Sequence, residues 1–145
     1  AATMPSVADT FTARDAKLAL EEGFVVVLGG GTGNPFFTTD TAASLRAIEI
    51  SADVMIKATK VDGVYSADPL KKPDAIRYDG LSFDQILADN LKVMDATAIV
   101  MCRENDLPLI VFNLNNAGDL VRLVKGETLG TVVSNHVSRT GTDSA

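Results

Sequence analysis

An α/β fold built on a mostly parallel sheet is what this sequence predicts, on three observations. Short apolar runs alternate with helix-length amphipathic segments through most of its 145 residues, the pattern of strands joined by helical crossovers. The run at 24–29 is apolar throughout rather than alternating, as a strand covered on both faces is. A glycine-rich stretch, Gly29 to Asp40, separates that run from the next helical segment, and ligands of such sheets bind at the carboxyl ends of the strands.

In chain order, residues 1–10 read as a polar lead-in. A helix is expected over 12–22, with Ala13, Ala16 and Leu20 on one face and Gly23 ending it as a C-cap glycine. The first strand follows at 24–29. A second helix spans 39–51 with Leu45 and Ile48 as its core stripe, and a second strand spans 53–58. Residues 59–80 carry Asp62-Gly63, Asp68-Pro69 and Lys72-Pro73, and Asp-Gly between β-prone stretches signals a hairpin. Helices are expected over 82–90 and 95–106, the latter with Ala98, Ile99 and Cys102 on one face. Pro108 precedes a strand at 109–112, a helix at 118–125 turns Leu120, Val121 and Val124 inward, and 131–133 forms a last short strand. Residues 135–145 lack apolar periodicity and read as a disordered tail. No internal repeat or linker divides the chain, so 1–134 count as one unit.

Composition narrows the function. At 46% hydrophobic the chain can bury a core, and a net charge of −6 argues against a broad nucleic-acid footprint. One cysteine, Cys102, excludes an intrachain disulfide and a cysteine-based metal cluster. The one histidine, His136, lies in the polar tail, away from any expected acid–base site. No run is long enough to span a membrane, so a cytoplasmic protein is the default expectation.

The stretch Gly29 to Asp40 has the makings of an anion cradle. Glycines let the backbone approach an anion, and a helix start adds free N–H groups and the positive end of its dipole. It is not a P-loop, because no Gly-Lys-Ser/Thr follows, nor the dinucleotide fingerprint, because Asn34 stands at the third glycine position. On spacing alone a tight strand–helix turn with no ligand remains open. Asn34-Pro35 fixes an extended bend, and Phe36 and Phe37 supply two rings that a structural turn seldom needs. Thr38 and Thr39 offer hydroxyls and a cap. Asp40 puts a carboxylate in the first turn, where it favours the dipole or orients cations around a phosphate.

A second constellation runs from Lys57 to Pro69. Tyr65 can stack on a purine, and Thr59 and Asp68 can hydrogen-bond a base or ribose; the bland alternative is a solvated hairpin. Asp95, after Lys92-Val93-Met94, reads as a helix N-cap.

Taken together, Gly31-Thr32-Gly33-Asn34-Pro35-Phe36-Phe37-Thr38-Thr39-Asp40, Lys57-Ala58-Thr59-Lys60-Val61-Asp62-Gly63-Val64-Tyr65 and Lys92-Val93-Met94-Asp95 resemble the bacterial-type uridylate kinase family of the amino-acid-kinase superfamily. Val111-Phe112-Asn113 and Gly130-Thr131 fit that family's ending. The resemblance covers roughly residues 5–134 and implies a three-layer α/β/α sandwich. It also implies phosphoryl transfer from ATP to UMP, with Mg²⁺ accompanying ATP, in pyrimidine nucleotide biosynthesis. Carried over by motif, Thr32, Gly33, Asn34, Pro35, Phe36, Phe37, Thr38 and Thr39 are the implied UMP site. Thr59, Tyr65 and Asp68 are the implied adenine and ribose contacts, Lys57 an implied contact of the ATP phosphates, and Asp40 the implied catalytic carboxylate. A cytoplasmic homohexamer activated by GTP and inhibited by UTP is the family's form.

The family's Lys-Leu-Ser-Gly loop, its Gly-Gly-Gly-Asn stretch and an associated aspartate do not occur in the 145 residues. The expectation is therefore that the sequence is the C-terminal, nucleotide-binding portion of the domain and has little or no kinase activity by itself. An N-terminal fragment of the same domain is the expected partner, whether the chain is a truncation, a remnant or one of two chains. Two other readings stand beside this one: a non-catalytic nucleotide-binding or assembly module, and a kinase of the same fold with another substrate.

Overall fold

The computed structural model describes residues 4–137 and 140–141. Its helices are α1 (Ala13–Glu21), α2 (Thr39–Glu49), α3 (Phe83–Ala88), α4 (Ala96–Glu104) and α5 (Asp119–Val124), and its strands are β1 (Met55–Thr59), β2 (Val64–Tyr65), β3 (Arg77–Leu81), β4 (Leu109–Asn113), β5 (Thr131–Val133) and β6 (Thr140–Gly141). The helices start where their caps dictate. Thr12, Thr38, Ser82 and Asp95 each accept a backbone N–H from the first turn of α1, α2, α3 and α4, satisfying donors that a helix start leaves open. Ser82 and Gln85 form a reciprocal capping box. Gly23, at φ 87°, follows the last turn of α1 as expected.

The sheet is mixed, in the order β1-β4-β5-β3-β2 with β6 on β3. β1 runs parallel to β4 and β3 parallel to β5, while β4 and β5 are antiparallel. The core is buried between strands and helices: Leu81, Leu109, Val111 and Val133 from the sheet meet Phe83, Ile86, Ile99 and Cys102 from α3 and α4. α2 adds Ala47 and Ile48 to the rim of this cluster, with Thr41, Ala42 and Ser44 as its buried residues. Its core stripe is thus shifted from the expected Leu45, which is half-buried.

Asp62-Gly63 does not turn a hairpin. β1 and β2 flank it but lie at opposite ends of the strand order. Four inter-strand spacings separate them in that order, roughly 19 Å across a flat sheet, and the short segment 60–63 makes the crossing. Gly63 makes this path possible, because a Cβ there would meet the Thr131 hydroxyl oxygen at 2.5 Å. That buried hydroxyl accepts the Val64 N–H at 2.8 Å and donates to the Tyr78 carbonyl at 2.5 Å, so one side chain pins β2 and β3 to β5. β3 itself falls in a stretch the turn formers made look irregular; Asp79-Gly80 hides a strand whose Tyr78, Gly80 and Leu81 are buried.

Three further expectations are corrected. The run 24–29 forms no ladder among the described residues and leaves Val25 92% and Val27 89% exposed. Its β-branched residues suit a strand, but a strand exists only where a neighbour supplies hydrogen-bond partners. On α1, Leu20 is exposed and Ala16 is the buried residue. On α5, Leu120, Val121 and Val124 face outward and Leu123 alone is buried, because an apolar surplus on a short helix does not say which of its faces the sheet covers. Within 135–145 the described residues make specific contacts. Asn135 donates to the Arg103 carbonyl at 2.9 Å and to Asp106 at 3.0 Å, and Thr140–Gly141 pairs with β3. Residues 138–139 and 142–145 lie outside the described residues. Among the described residues no helix is long and apolar enough to cross a membrane.

Candidate functional site

The cradle is built by backbone conformation. Gly30, Gly31 and Gly33 take φ of 84°, 64° and 75°, a region side chains rarely enter. Thr32 folds the next residues into a turn, its hydroxyl accepting the Asn34 N–H at 3.1 Å. Phe36, a non-glycine residue at φ 71°, swings its ring into solvent, and Phe37 is exposed as well. The two aromatics stand over the loop without packing into a closed pocket. Thr38 then caps α2, accepting from the amides of Asp40 and Thr41 at 3.1 and 3.3 Å.

Asp40 is where the two expected sites meet. Its carboxylate accepts from Lys57 Nζ at 2.6 Å, in a partly buried pair. Lys57 lies on β1, two residues before Thr59 and on the same face, roughly 7 Å away along the strand. The structure therefore brings Lys57 to the cradle and Asp40, at the border of the second site rather than inside it.

That second site is a cavity of about 490 Å³ lined in part by Thr59, Tyr65 and Asp68 together with Asn90, Lys92 and Val93. Thr59 donates to the Val61 carbonyl at 2.7 Å and accepts the Val61 N–H, shaping the exit of β1. The Tyr65 hydroxyl donates to Asp62 at 2.6 Å, and Arg77 reaches Asp62 at 3.3 Å and Asp79 at 3.1 Å. This network fixes the ring. The Tyr65 hydrogen bond, helped by Arg77, holds Asp62 below its ordinary pKa, and the Asp62 partner raises that of Tyr65. Asp68 caps its own turn, accepting the Leu70 N–H at 3.0 Å, with Lys71 at 3.7 Å.

Nothing in the residue pattern alone marks Asn90, Lys92 and Val93 as lining residues, or Asp62 and Arg77 as a brace. The Lys92-Val93-Met94-Asp95 motif, through the family resemblance, is the available signal for the first group. Burial alone would raise the pKa of Asp95, but hydrogen bonds from Thr38, the Ala98 amide and Thr41 outweigh it and hold the carboxyl below its ordinary value. Cys102 is buried, its thiol pushed up by desolvation and hydrogen-bonded to Ser44 at 3.4 Å, consistent with a core residue rather than a reactive one.

Residues 4–113 match the amino acid kinase family. The chain is 53% identical over 135 residues to a uridylate kinase of Paramagnetospirillum magneticum, covering 93% of this chain and 56% of that protein. It is 56% identical over 127 residues to a uridylate kinase of Dichelobacter nodosus, covering 88% of this chain and 53% of that protein. The chain thus spans about half the length of these curated relatives. Among solved structures it resembles UMP kinase from Bacillus anthracis, with a TM-score of 0.92, 34% identity and coverage of 96% of this chain and 57% of that one. UMP kinase from Ureaplasma parvum superposes with a TM-score of 0.83, 36% identity and coverage of 92% and 57%.

Proposed function

The chain belongs to the amino acid kinase family, and from that premise we propose that it forms the nucleotide-binding face of a uridylate kinase, which moves the γ-phosphoryl group of ATP to UMP and yields UDP and ADP. The observation that carries this reading is the Asp40–Lys57 pair at 2.6 Å, set between a glycine cradle at the start of α2 and the Tyr65 cavity. Relatives at 53% and 56% identity that bear the name uridylate kinase support the choice of substrate.

Phosphoryl transfer asks a protein mainly for positioning and for stabilisation of the charge on the transferring group. In this reading Thr32 to Thr39 bind UMP, the glycine amides and the first turn of α2 facing its phosphate. Tyr65, braced by Asp62, stacks on the adenine, while Thr59 and Asp68 take its edge and ribose. Lys57, held by Asp40, points its ammonium toward the transferring phosphoryl group. Mg²⁺, bound with ATP, neutralises phosphate charge. Among the described residues no group of three or more His, Cys, Asp or Glu side chains gathers into a metal site. The setting proposed is cytoplasmic pyrimidine nucleotide biosynthesis, in a homo-oligomer, hexameric and GTP- and UTP-responsive as the family resemblance implies. The exposed Val25, Val27, Val121 and Val124 support association, either between copies or with the remaining portion of a kinase domain.

Lys57 is the cation this reading places at the transferring group, and the chain spans only 56% and 53% of the length of its curated relatives. The 145-residue chain assayed alone is expected to bind UMP and ATP yet give little or no UDP in a coupled assay, and to gain turnover when the non-matching portion of a uridylate kinase relative is added. Failure to bind either nucleotide would remove the reading, and robust turnover by the chain alone would remove its incompleteness. Binding without any gain on reconstitution would favour a non-catalytic nucleotide-binding module, and turnover only with another acceptor a same-fold kinase of different specificity. The division of sites is tested by calorimetry. Phe37→Ala is expected to weaken UMP by tenfold or more while sparing ATP, and Tyr65→Ala to do the reverse; equal loss of both ligands in both variants contradicts the assignment.

A further inference from the structure

Asp95 does more than a helix cap requires. Its Oδ1 accepts the Ala98 N–H at 3.0 Å, which alone caps α4. The same carboxylate also accepts the Thr41 hydroxyl at 3.0 and 3.1 Å and the Thr38 hydroxyl, so donors from the starts of two helices converge on one side chain. Thr38 uses its full hydrogen-bonding capacity, its proton on Asp95 and its lone pairs facing the amides of Asp40 and Thr41. A path of direct hydrogen bonds therefore runs from Asp95 through Thr38 to the first turn of α2. Thr41, buried at its other end, would lose its carboxylate acceptor if Asp95 were removed.

We propose that Asp95 is a positioning residue of the acceptor-nucleotide cradle, fixing Thr38 and Thr41 so that the start of α2 and the glycine loop leading into it hold their orientation toward the UMP phosphate. This rests on the uridylate kinase reading above. Asp95 acts through Thr38 and Thr41, whereas Asn90, Lys92 and Val93 of the segment preceding it line the other nucleotide's cavity.

The test uses the ¹⁵N-labelled 145-residue chain, titrated separately with UMP and with ATP and followed by amide shifts. In the wild type, UMP is expected to move the amides of Thr38 to Thr41. Asp95→Ala is expected to weaken UMP about tenfold, the scale of one lost hydrogen bond to a charged group, with ATP affinity changed less than about twofold. Asp95→Asn, which keeps size and one accepting oxygen but puts an NH2 donor in place of the other, is expected to weaken UMP about two- to threefold, between wild type and Asp95→Ala. A cap with a merely structural role lowers the melting temperature without moving the UMP-to-ATP affinity ratio. An unchanged ratio in Asp95→Ala therefore overturns the inference and leaves the reading of the cradle in place; a wild-type chain that binds no UMP overturns both. Should Asp95→Ala fail to fold, Asp95→Asn decides: an affinity ratio identical to wild type's overturns the proposal, and a measurable fall in UMP affinity alone supports it.

Discussion

Gly130→Ala is expected to destabilise the chain by about 3–5 kcal/mol, the sum of left-handed strain and a backbone clash. Gly130 has φ 76°, and a Cβ there would run into the Val111 carbonyl, with Phe112 Cα only 3.1 Å away. The obstacle is backbone in β4, which cannot step aside as a flexible side chain does. β5 begins at the next residue, and Thr131 ties β2 and β3 to it, so the damage reaches the strand that carries Tyr65. Thermal unfolding should show a fall of roughly 10 °C or more for a chain of this length. Gly126→Ala separates the two causes: its φ is 91° but a Cβ meets nothing within 4 Å, so it should cost only about 1–2 kcal/mol. Similar losses in the two variants would show that the Val111 contact yields easily and that strain alone matters.

Asp40→Asn is expected to lower phosphoryl transfer by about a hundredfold or more in the reconstituted assay, the scale seen when one charge-stabilising group is lost. The carboxylate holds Lys57 Nζ at 2.6 Å; the amide keeps the shape but gives up the charge that holds the ammonium in place. Because α2 keeps its Thr38 cap, UMP affinity should change only a few-fold, placing the loss in turnover rather than binding. Lys57→Met is the companion variant. If the pair acts as a unit, the double variant should be no worse than either single one. Multiplying effects would show that Asp40 and Lys57 work independently, and an Asp40→Asn chain with undiminished turnover would dismiss the carboxylate from the mechanism.

Much of the site was legible because its parts are local. Thr38 capping α2, Asp95 capping α4 and the left-handed glycines of the cradle each depend on residues within a few positions of one another. The pairing of Asp40 with Lys57, 17 residues apart, was legible only in outline: both were singled out, but in separate sites. The Asp62–Tyr65–Arg77 brace was missed, since Arg77 sits in β3, a strand disguised by Asp79-Gly80 and surrounding turn formers. Hydrophobic inventory misled where it was read as burial. Val25, Val27, Val121 and Val124 carry the apolar content of interior residues and lie on the surface among the described residues.

By itself the sequence determined the caps, the positions of most helices and central strands, the conformation-demanding glycines and the family, because these follow from short-range sterics, hydrogen bonding and motif. Only the tertiary structure decided which strands are neighbours, which face of α5 is covered, and that Asp62-Gly63 crosses the sheet instead of turning back. It also decided that one carboxylate, Asp95, serves both α2 and α4. The physical reason is the same in each case: a hydrogen bond or a buried contact between distant residues has no local signature, and comes into being only when packing brings its two halves together.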